Sequence, residues 1–192
     1  MILRAGTVAA RSMGKRIMLK IIVLILVVAI AGVLVAAAFR PDTFRIERSI
    51  RIKAAPEKIF AFIDDFHRWT AWSPWERLDP ALKRDYSGAA SGKDAAYAWE
   101  GNSKVGQGRM AIVESVPHSS IRIQLDFIKP FEAHNMAEFT LRPDADGTEV
   151  RWVMYGPQPY LSKLMGLVFN MDRMIGKDFE TGLANLKSAA EA

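Results

Sequence analysis

The feature that most constrains this chain is an uncharged apolar run, "IIVLILVVAIAGVLVAAAF", over residues 21–39. As a helix, these nineteen residues would extend roughly 28 Å, close to the hydrocarbon thickness of a bilayer. A helix buried inside a soluble protein is rarely apolar on every side for so long. The run predicts a transmembrane anchor over residues 17–40, after a basic tail over residues 1–16 and before a folded domain over residues 41–192.

A cleaved signal peptide is the alternative interpretation of the same run. Residues 36–38 are three alanines that could form a cleavage site, but the run exceeds the roughly 7–15 apolar residues of a typical signal peptide. Cations flank the run on both sides, and those after it lie mostly in the first predicted strand. The acid-free basic tail favours a cytoplasmic N-terminus, with the domain on the outer side of the inner membrane.

The charge distribution argues against a nucleic-acid-binding protein, despite a net charge of +5. The first 40 residues hold six of the 26 Lys and Arg residues and none of the 21 acids, which leaves 20 cations against 21 acids in residues 41–192. The basic character therefore belongs to the N-terminal extension. The absence of cysteine excludes disulfides, a thiolate nucleophile and cysteine-ligated zinc.

The residues after the apolar run alternate between apolar and polar side chains. "FRIERSIRIK", beginning at Phe44, predicts a strand that carries Arg48 on its apolar face. A short helix is predicted from Pro56, because proline is favoured at the first helical position, and a second short helix over residues 66–75. Five or six antiparallel strands follow, and the last two form a hairpin around residues 146–147.

Residues 158–190 predict one long helix with an apolar stripe at helical spacing. The stripe includes Met165, Met171 and Phe179. Asp172 falls within it, where a carboxylate needs a partner, and Arg48 or Arg109 could supply the opposite charge. The alternative is that the helix is rotated or interrupted at Gly166, which would leave Asp172 at the rim.

The order of these elements predicts an α+β fold. A twisted antiparallel sheet with one apolar face must cover that face. The long C-terminal helix can cover it, and a curved sheet wrapped around one helix leaves a cavity between the two. The two short helices after the first strand would close one end of that cavity.

Three stretches resemble the helix-grip superfamily known as SRPBCC or START-like, in its bacterial polyketide cyclase/dehydratase branch. They are "APEKIFAFIDDFHRWTAWSPW", "GNSKVGQGRMAI" and "MIGKDFETGLANLK". The resemblance covers roughly residues 43–190, and members of this branch often carry an N-terminal membrane span. It implies a curved sheet around a long C-terminal helix and a cavity for a hydrophobic ligand. It does not imply a single activity, because one fold hosts many functions.

The tryptophan-rich stretch and the C-terminal helix supply the candidate ligand-binding residues. Large aromatic side chains mostly form cores, so the tryptophans either plug the closed end of the cavity or line it for a ligand. The methionines either form an adaptable cavity wall or pack as ordinary core. The candidates are Trp69, Trp72, Trp99, Arg48, Met165, Met171, Asp172 and Phe179.

No recognised catalytic motif or metal-ligand spacing occurs in the sequence, so we predict no catalytic residue, metal or cofactor. His67, His118 and His134 are scattered. The predicted function is a membrane-anchored binding or carrier domain for a hydrophobic small molecule or lipid. One alternative is a cyclase/dehydratase-like enzyme that uses an acid–base residue in the cavity, and another is a tethered interaction module without a ligand. The sequence leaves the ligand and the oligomeric state open.

Overall fold

The computed structural model describes residues 3–192, with side chains from Met18 onward. It contains two compact units. The N-terminal unit comprises the described residues up to Pro41 together with Pro159–Phe169, and the sheet unit comprises Asp42–Gln158 and Asn170–Ala192.

The N-terminal unit contains helix α1, Leu3–Ala38. Its portion Met18–Ala38 is 21 residues long and includes an 18-residue stretch with a mean hydropathy of 3.3, and this is the one helix in the described part of the chain that could cross a membrane. A signal sequence would also have this length and hydropathy. The side chains of the predicted basic tail, residues 1–16, lie outside the described residues.

The sheet unit is built on seven antiparallel strands in the order β1-β7-β6-β5-β4-β3-β2. Alternation of apolar and polar residues explains them: in β5, for example, Ile121 and Ile123 are fully buried and Arg122 is exposed. The strands are β1 Thr43–Ile52, β2 Lys83–Gly88, β3 Ala95–Glu100, β4 Gln107–Val116, β5 Ser120–Lys129, β6 Ala133–Asp144 and β7 Gly147–Pro157. The predicted hairpin at residues 146–147 joins β6 to β7 and is confirmed.

The short helices differ in detail from the prediction. Helix α2, Pro56–Ile63, begins at the expected proline. The second predicted helix is instead two 3-10 helices, Phe66–Ala71 and Pro74–Arg77. The break has a steric cause, because Ser73 precedes a proline and takes an extended conformation, with ψ of 126°.

The prediction of one continuous helix over residues 158–190 is wrong. The segment forms helix α3, Tyr160–Met165, and helix α4, Met171–Glu191. Asn170 is extended and its side chain accepts a hydrogen bond from the backbone N–H of Arg173, so it starts a new helix. Asp172 consequently lies in the exposed first turn of α4, outside the buried stripe. That stripe contains Phe179, Leu183, Leu186 and Ala190.

Helix α4 covers the apolar face of the sheet, packing against β1, α2 and the 3-10 helices. The core between them holds aromatic side chains from the tryptophan stretch and from the strands. The predicted α+β fold, a curved antiparallel sheet around a C-terminal helix with short helices after the first strand, is confirmed.

Candidate ligand-binding site

A cavity of about 320 Å³ lies between the sheet and α4, entirely within the sheet unit. This volume falls at the lower end of the roughly 300–1,000 Å³ typical of small-molecule sites. The wall is predominantly apolar, as expected for the inner face of a sheet whose side chains alternate. The apolar lining residues are Trp69, Trp75, Leu82, Trp99, Val105, Met110, Ile123, Leu125, Phe127, Ala137, Trp152, Met154, Ile175 and Phe179.

Two tryptophans of the "HRWTAWSPW" stretch are fixed by the end of helix α2. The indole Nε1–H of Trp69 donates to the carbonyl of Ile63, and that of Trp72 donates to the carbonyl of Phe62, both at 2.9 Å. These carbonyls belong to the last turn of α2 and have no partner within the helix. The tryptophans therefore cap α2 and close one end of the cavity, with Trp69 in the wall and Trp72 fully buried.

Trp152 in β7 forms the centre of the aromatic core. Its ring stacks on Phe179 of α4 at a centroid distance of 4.0 Å and an interplanar angle of 4°. The side chain lines the cavity and is 3% exposed, yet its Nε1–H is buried and has no hydrogen-bond partner among the described residues. A buried donor without a partner costs about 1–3 kcal/mol. Trp152 is thus a cavity-lining residue that the sequence analysis missed, and its buried indole N–H is unpaired within the described part of the chain.

One polar cluster forms part of the cavity wall. The carboxylate of Glu76 accepts a hydrogen bond from Nε of Arg84 at 2.6 Å and from the hydroxyl of Tyr97 at 2.7 Å. Burial, and then the hydrogen bond to Glu76, raise the pKa of Tyr97 far above its usual value. The Tyr97 hydroxyl therefore stays protonated, and both oxygens of Glu76 are already occupied.

The exposed lining residues mark the mouth of the cavity. They come from the β3–β4 loop, the end of β5, the β5–β6 loop and α4, and they are Ser103, Lys104, Lys129, Pro130 and Asp178. The mouth therefore carries two lysines and one carboxylate. Asp178 is exposed at the surface, but partial burial by its neighbours raises the pKa of its carboxyl.

The structure places three of the eight predicted site residues in the cavity wall, namely Trp69, Trp99 and Phe179. Trp72 packs edge-on against Trp152, at a centroid distance of 5.5 Å, without lining the cavity. Met171 is an exposed residue at the start of α4, and Met165 is exposed on α3 in the N-terminal unit. The break before α4 separates Met165 from the buried stripe of that helix, and Met171 lies in the exposed first turn of α4, before the buried stripe begins.

The remaining two predicted residues, Arg48 and Asp172, pair at the surface of the sheet unit. Nη1 of Arg48 lies 3.1 Å from Oδ1 of Asp172, and Nε lies 2.7 Å from Oε1 of Glu180. The Asp172 side chain is 60% exposed. The hydrogen bond from Arg48 lowers the pKa of Asp172, which accords with a solvated ion pair joining β1 to α4.

A charged cluster around Asp126 lies on the face of the sheet that points away from the cavity. Asp126 accepts hydrogen bonds from Nδ1 of His134 at 2.8 Å and Nε of Arg109 at 3.2 Å. Arg109 is therefore not a partner of Asp172. Among the residues with described side chains, no group of three or more His, Asp or Glu residues is placed to hold a metal ion.

An antiparallel sheet, a covering C-terminal helix and an enclosed apolar cavity define the class of helix-grip proteins. A family model described as "Polyketide cyclase / dehydrase and lipid transport" matches residues 43–191. The chain belongs to this family, which confirms the resemblance derived from the three sequence stretches. No curated protein sequence matches the chain.

Solved structures share the fold at low sequence identity. Protein CV1439 from Chromobacterium violaceum aligns with a TM-score of 0.55 at 16% identity, covering 79% of this chain and 99% of its own. The Aha1 dimer from Colwellia psychrerythraea aligns with a TM-score of 0.55 at 18% identity, covering 77% and 96%. The di-domain ARO/CYC BexL from the BE-7585A biosynthetic pathway aligns with a TM-score of 0.59 at 14% identity, covering 82% and 53%. These identities support the common fold and no more.

Proposed function

We propose that this protein is a membrane-anchored binding protein for one apolar small molecule or lipid. The observation that carries the proposal is the apolar cavity of about 320 Å³ between the sheet and α4. Its aromatic and aliphatic side chains would bind the apolar body of the ligand, and the lysines and the carboxylate at its mouth would contact a polar end.

The cavity itself favours a ligand over a tethered interaction module with a filled core. Protein interiors are packed to the density of organic crystals, with few voids larger than a water molecule. A space of about 320 Å³ lined by large side chains departs strongly from that norm. A protein that used only its outer surface would gain stability if this space were filled.

Attachment to the membrane forms the second part of the proposal. The portion Met18–Ala38 of α1 has the length and hydropathy of a span, and its large apolar side chains are exposed, Leu24 and Ile25 each by 63%. Exposed apolar side chains over such a length are stable in lipid rather than in water. We place the domain outside the cytoplasm, because the basic N-terminal tail favours retention inside.

A cavity-filling substitution tests ligand binding. Ala137 is 6% exposed and lines the cavity, so Ala137→Leu should reduce the binding of a dansylated fatty acid several-fold and reduce the native lipid extracted with the purified protein. Ala98→Leu is the matched control, since Ala98 lies on the other face of its strand, outside this cavity. Equal binding by the two variants, or no binding by the wild type, would refute the proposal.

The runner-up function is a cyclase- or dehydrase-type enzyme, and the Glu76–Tyr97 pair is the observation that favours it. A carboxylate and a phenol in the cavity wall could move a proton to and from a ligand. In the present arrangement each group is bound to the other, which suits a structural pair better than a free acid or base. Tyr97→Phe separates the two functions: an enzyme would lose turnover, whereas a carrier would retain its ligand.

A further inference from the structure

The N-terminal unit contains a second apolar element beside α1. The 160–169 segment, which follows β7 and includes α3, has the sequence "YLSKLMGLVF". Most of its large apolar side chains are exposed: Leu161 by 61%, Met165 by 43%, Leu167 by 36%, Val168 by 79% and Phe169 by 51%. A contiguous exposed group of this kind marks a surface that contacts a membrane or another protein.

The segment is joined to the C-terminal end of α1 by a specific hydrogen bond. The hydroxyl of Tyr160 donates to the backbone carbonyl of Leu34 at 2.8 Å, and α3 packs against α1. Leu34 precedes the last helical residue, Ala38, by four positions, so its carbonyl lies roughly 6 Å from the end of the helix at about 1.5 Å per residue. That depth matches the 5–10 Å to which interfacial helices are buried in a bilayer.

The side chains around this contact are those typical of a membrane interface. Tyrosine is enriched at the level of the lipid headgroups, because its ring is apolar and its hydroxyl is polar. Arg40 lies two residues after the end of α1 and its guanidinium lies beside Gly166 of the segment, where a cation can attract anionic headgroups. Phe39, between the helix and Arg40, is 85% exposed and adds another aromatic ring at the same level.

We propose that the 160–169 segment is a second membrane contact, with Leu161, Val168 and Phe169 in the boundary between lipid headgroups and acyl chains. This inference rests on the proposed membrane anchor, because the contact with Leu34 fixes the segment at the end of that span. The occupant of this apolar surface is the lipid bilayer itself.

The absence of cysteine from the chain permits a direct test on the full-length protein. A single nitroxide label is attached to Val168→Cys in vesicles of phosphatidylethanolamine and phosphatidylglycerol, and its collisions with oxygen and with a water-soluble nickel chelate are measured. Val28→Cys in α1 is the lipid reference, and Val116→Cys at the end of β4 is the aqueous reference; these valines are 62% and 42% exposed. Leu161→Cys provides a second position in the segment.

We expect the oxygen-to-nickel ratio of the labels at positions 168 and 161 to be several-fold above that at Val116 and below that at Val28, because Val28 is the midpoint of the span Met18–Ala38. A ratio equal to that at Val116 would place the segment in water and overturn the inference. Protection from both reagents would also overturn it, because the segment would then be covered by protein, such as a second copy of the chain. A label at Val28 that behaves like the one at Val116 would refute the anchor itself, and the two failures are thereby distinguished.

Discussion

The ring of Trp152 packs directly against the backbone of α4 at Gly182. A Cβ atom on Gly182 would lie 2.9 Å from Cζ3 of Trp152 and 3.2 Å from Cδ of Pro74. Both neighbours are rigid rings, and Trp152 is buried. We expect Gly182→Ala to lower the free energy of unfolding by about 1–2 kcal/mol, because overpacking outweighs the gain in helix propensity of about 1 kcal/mol. Urea denaturation measures this change.

Gly176→Ala in the same helix is the matched control. The atoms nearest to its added Cβ belong to the guanidinium of Arg48, which lies at the end of a flexible side chain and can move. Its unfolding free energy should therefore equal or exceed that of the wild type. If both variants lose the same unfolding free energy, α4 tolerates no added methyl group at either position, and contact with Trp152 is not the cause of the loss in Gly182→Ala.

His134 should give the stability of the domain a pH dependence. The hydrogen bond to Asp126 raises the pKa of His134 above its ordinary value of 6.5, so the folded state binds this proton more tightly than the unfolded state does. The resulting stabilisation is complete below pH 6.5 and is lost as the pH rises through the raised pKa. The urea midpoint of the wild type should fall across that window, whereas that of His134→Gln should fall less. If the urea midpoints of the two proteins fall in parallel as the pH rises, His134 is not the group that causes the pH dependence.

At the scale of elements, Asn170 determines where α4 begins. Its side-chain oxygen accepts a hydrogen bond from the backbone N–H of Arg173. This N–H lies in the first turn of the helix, where backbone donors have no carbonyl partner within the helix. Asn170→Ala should cost about 0.5–2 kcal/mol in unfolding free energy. Asn170→Asp, which retains an oxygen acceptor, should remain close to the wild type. If both substitutions are equally destabilising, the capping hydrogen bond is not the cause of the lost unfolding free energy.

Asp172 connects α4 to β1 through Arg48, and its exposure determines the expected effect. Because the side chain is 60% exposed, Asp172→Asn should change the unfolding free energy by no more than about 0.5 kcal/mol, as for other surface substitutions. The amount of extracted ligand should also stay unchanged, since Asp172 does not line the cavity. A large loss of stability would mean that the pair is more deeply buried in solution.

Elements that depend on patterns in neighbouring residues were predictable from the sequence, whereas features that depend on contacts between distant residues were not. Strands such as β5 were predictable because apolar and polar side chains alternate along consecutive residues. The family resemblance also covered this region. The break between α3 and α4 was predicted only as an alternative, an interruption at Gly166, because the apolar spacing continues across it and the capping hydrogen bond of Asn170 does not show in that spacing. The position of Trp152 in the cavity wall depends on how β7 and α4 pack against each other, a property of the assembled fold.

At the scale of the whole molecule, the orientation of the chain remains a prediction. A reporter that is active only outside the cytoplasm, fused after Ala192, should be active, and a reporter that requires the cytoplasm should be silent. The physical reason is the short acid-free basic tail before α1. The reverse pattern would show that the cations after the span control the orientation.

Retention of the span is tested separately. If α1 is an uncleaved anchor, the full-length protein should remain in the membrane pellet after an alkaline carbonate wash, because the apolar side chains of Met18–Ala38 have no other apolar environment. A mature protein that begins at Phe39 on N-terminal sequencing would establish the signal peptide instead. A variant with Leu24→Arg and Val28→Arg, which places charges within the apolar run, should lose this retention.

The grouping of indoles described above has a spectroscopic consequence. Four of the five tryptophans line the cavity, and the fifth, Trp72, is in ring contact with Trp152. Neither the described part of α1 nor the 160–169 segment contains a tryptophan. Nearly all tryptophan emission from the native protein therefore originates at or beside the cavity, so its intensity and wavelength should change if a ligand enters, and no attached dye is needed to follow the proposed binding in lipid vesicles.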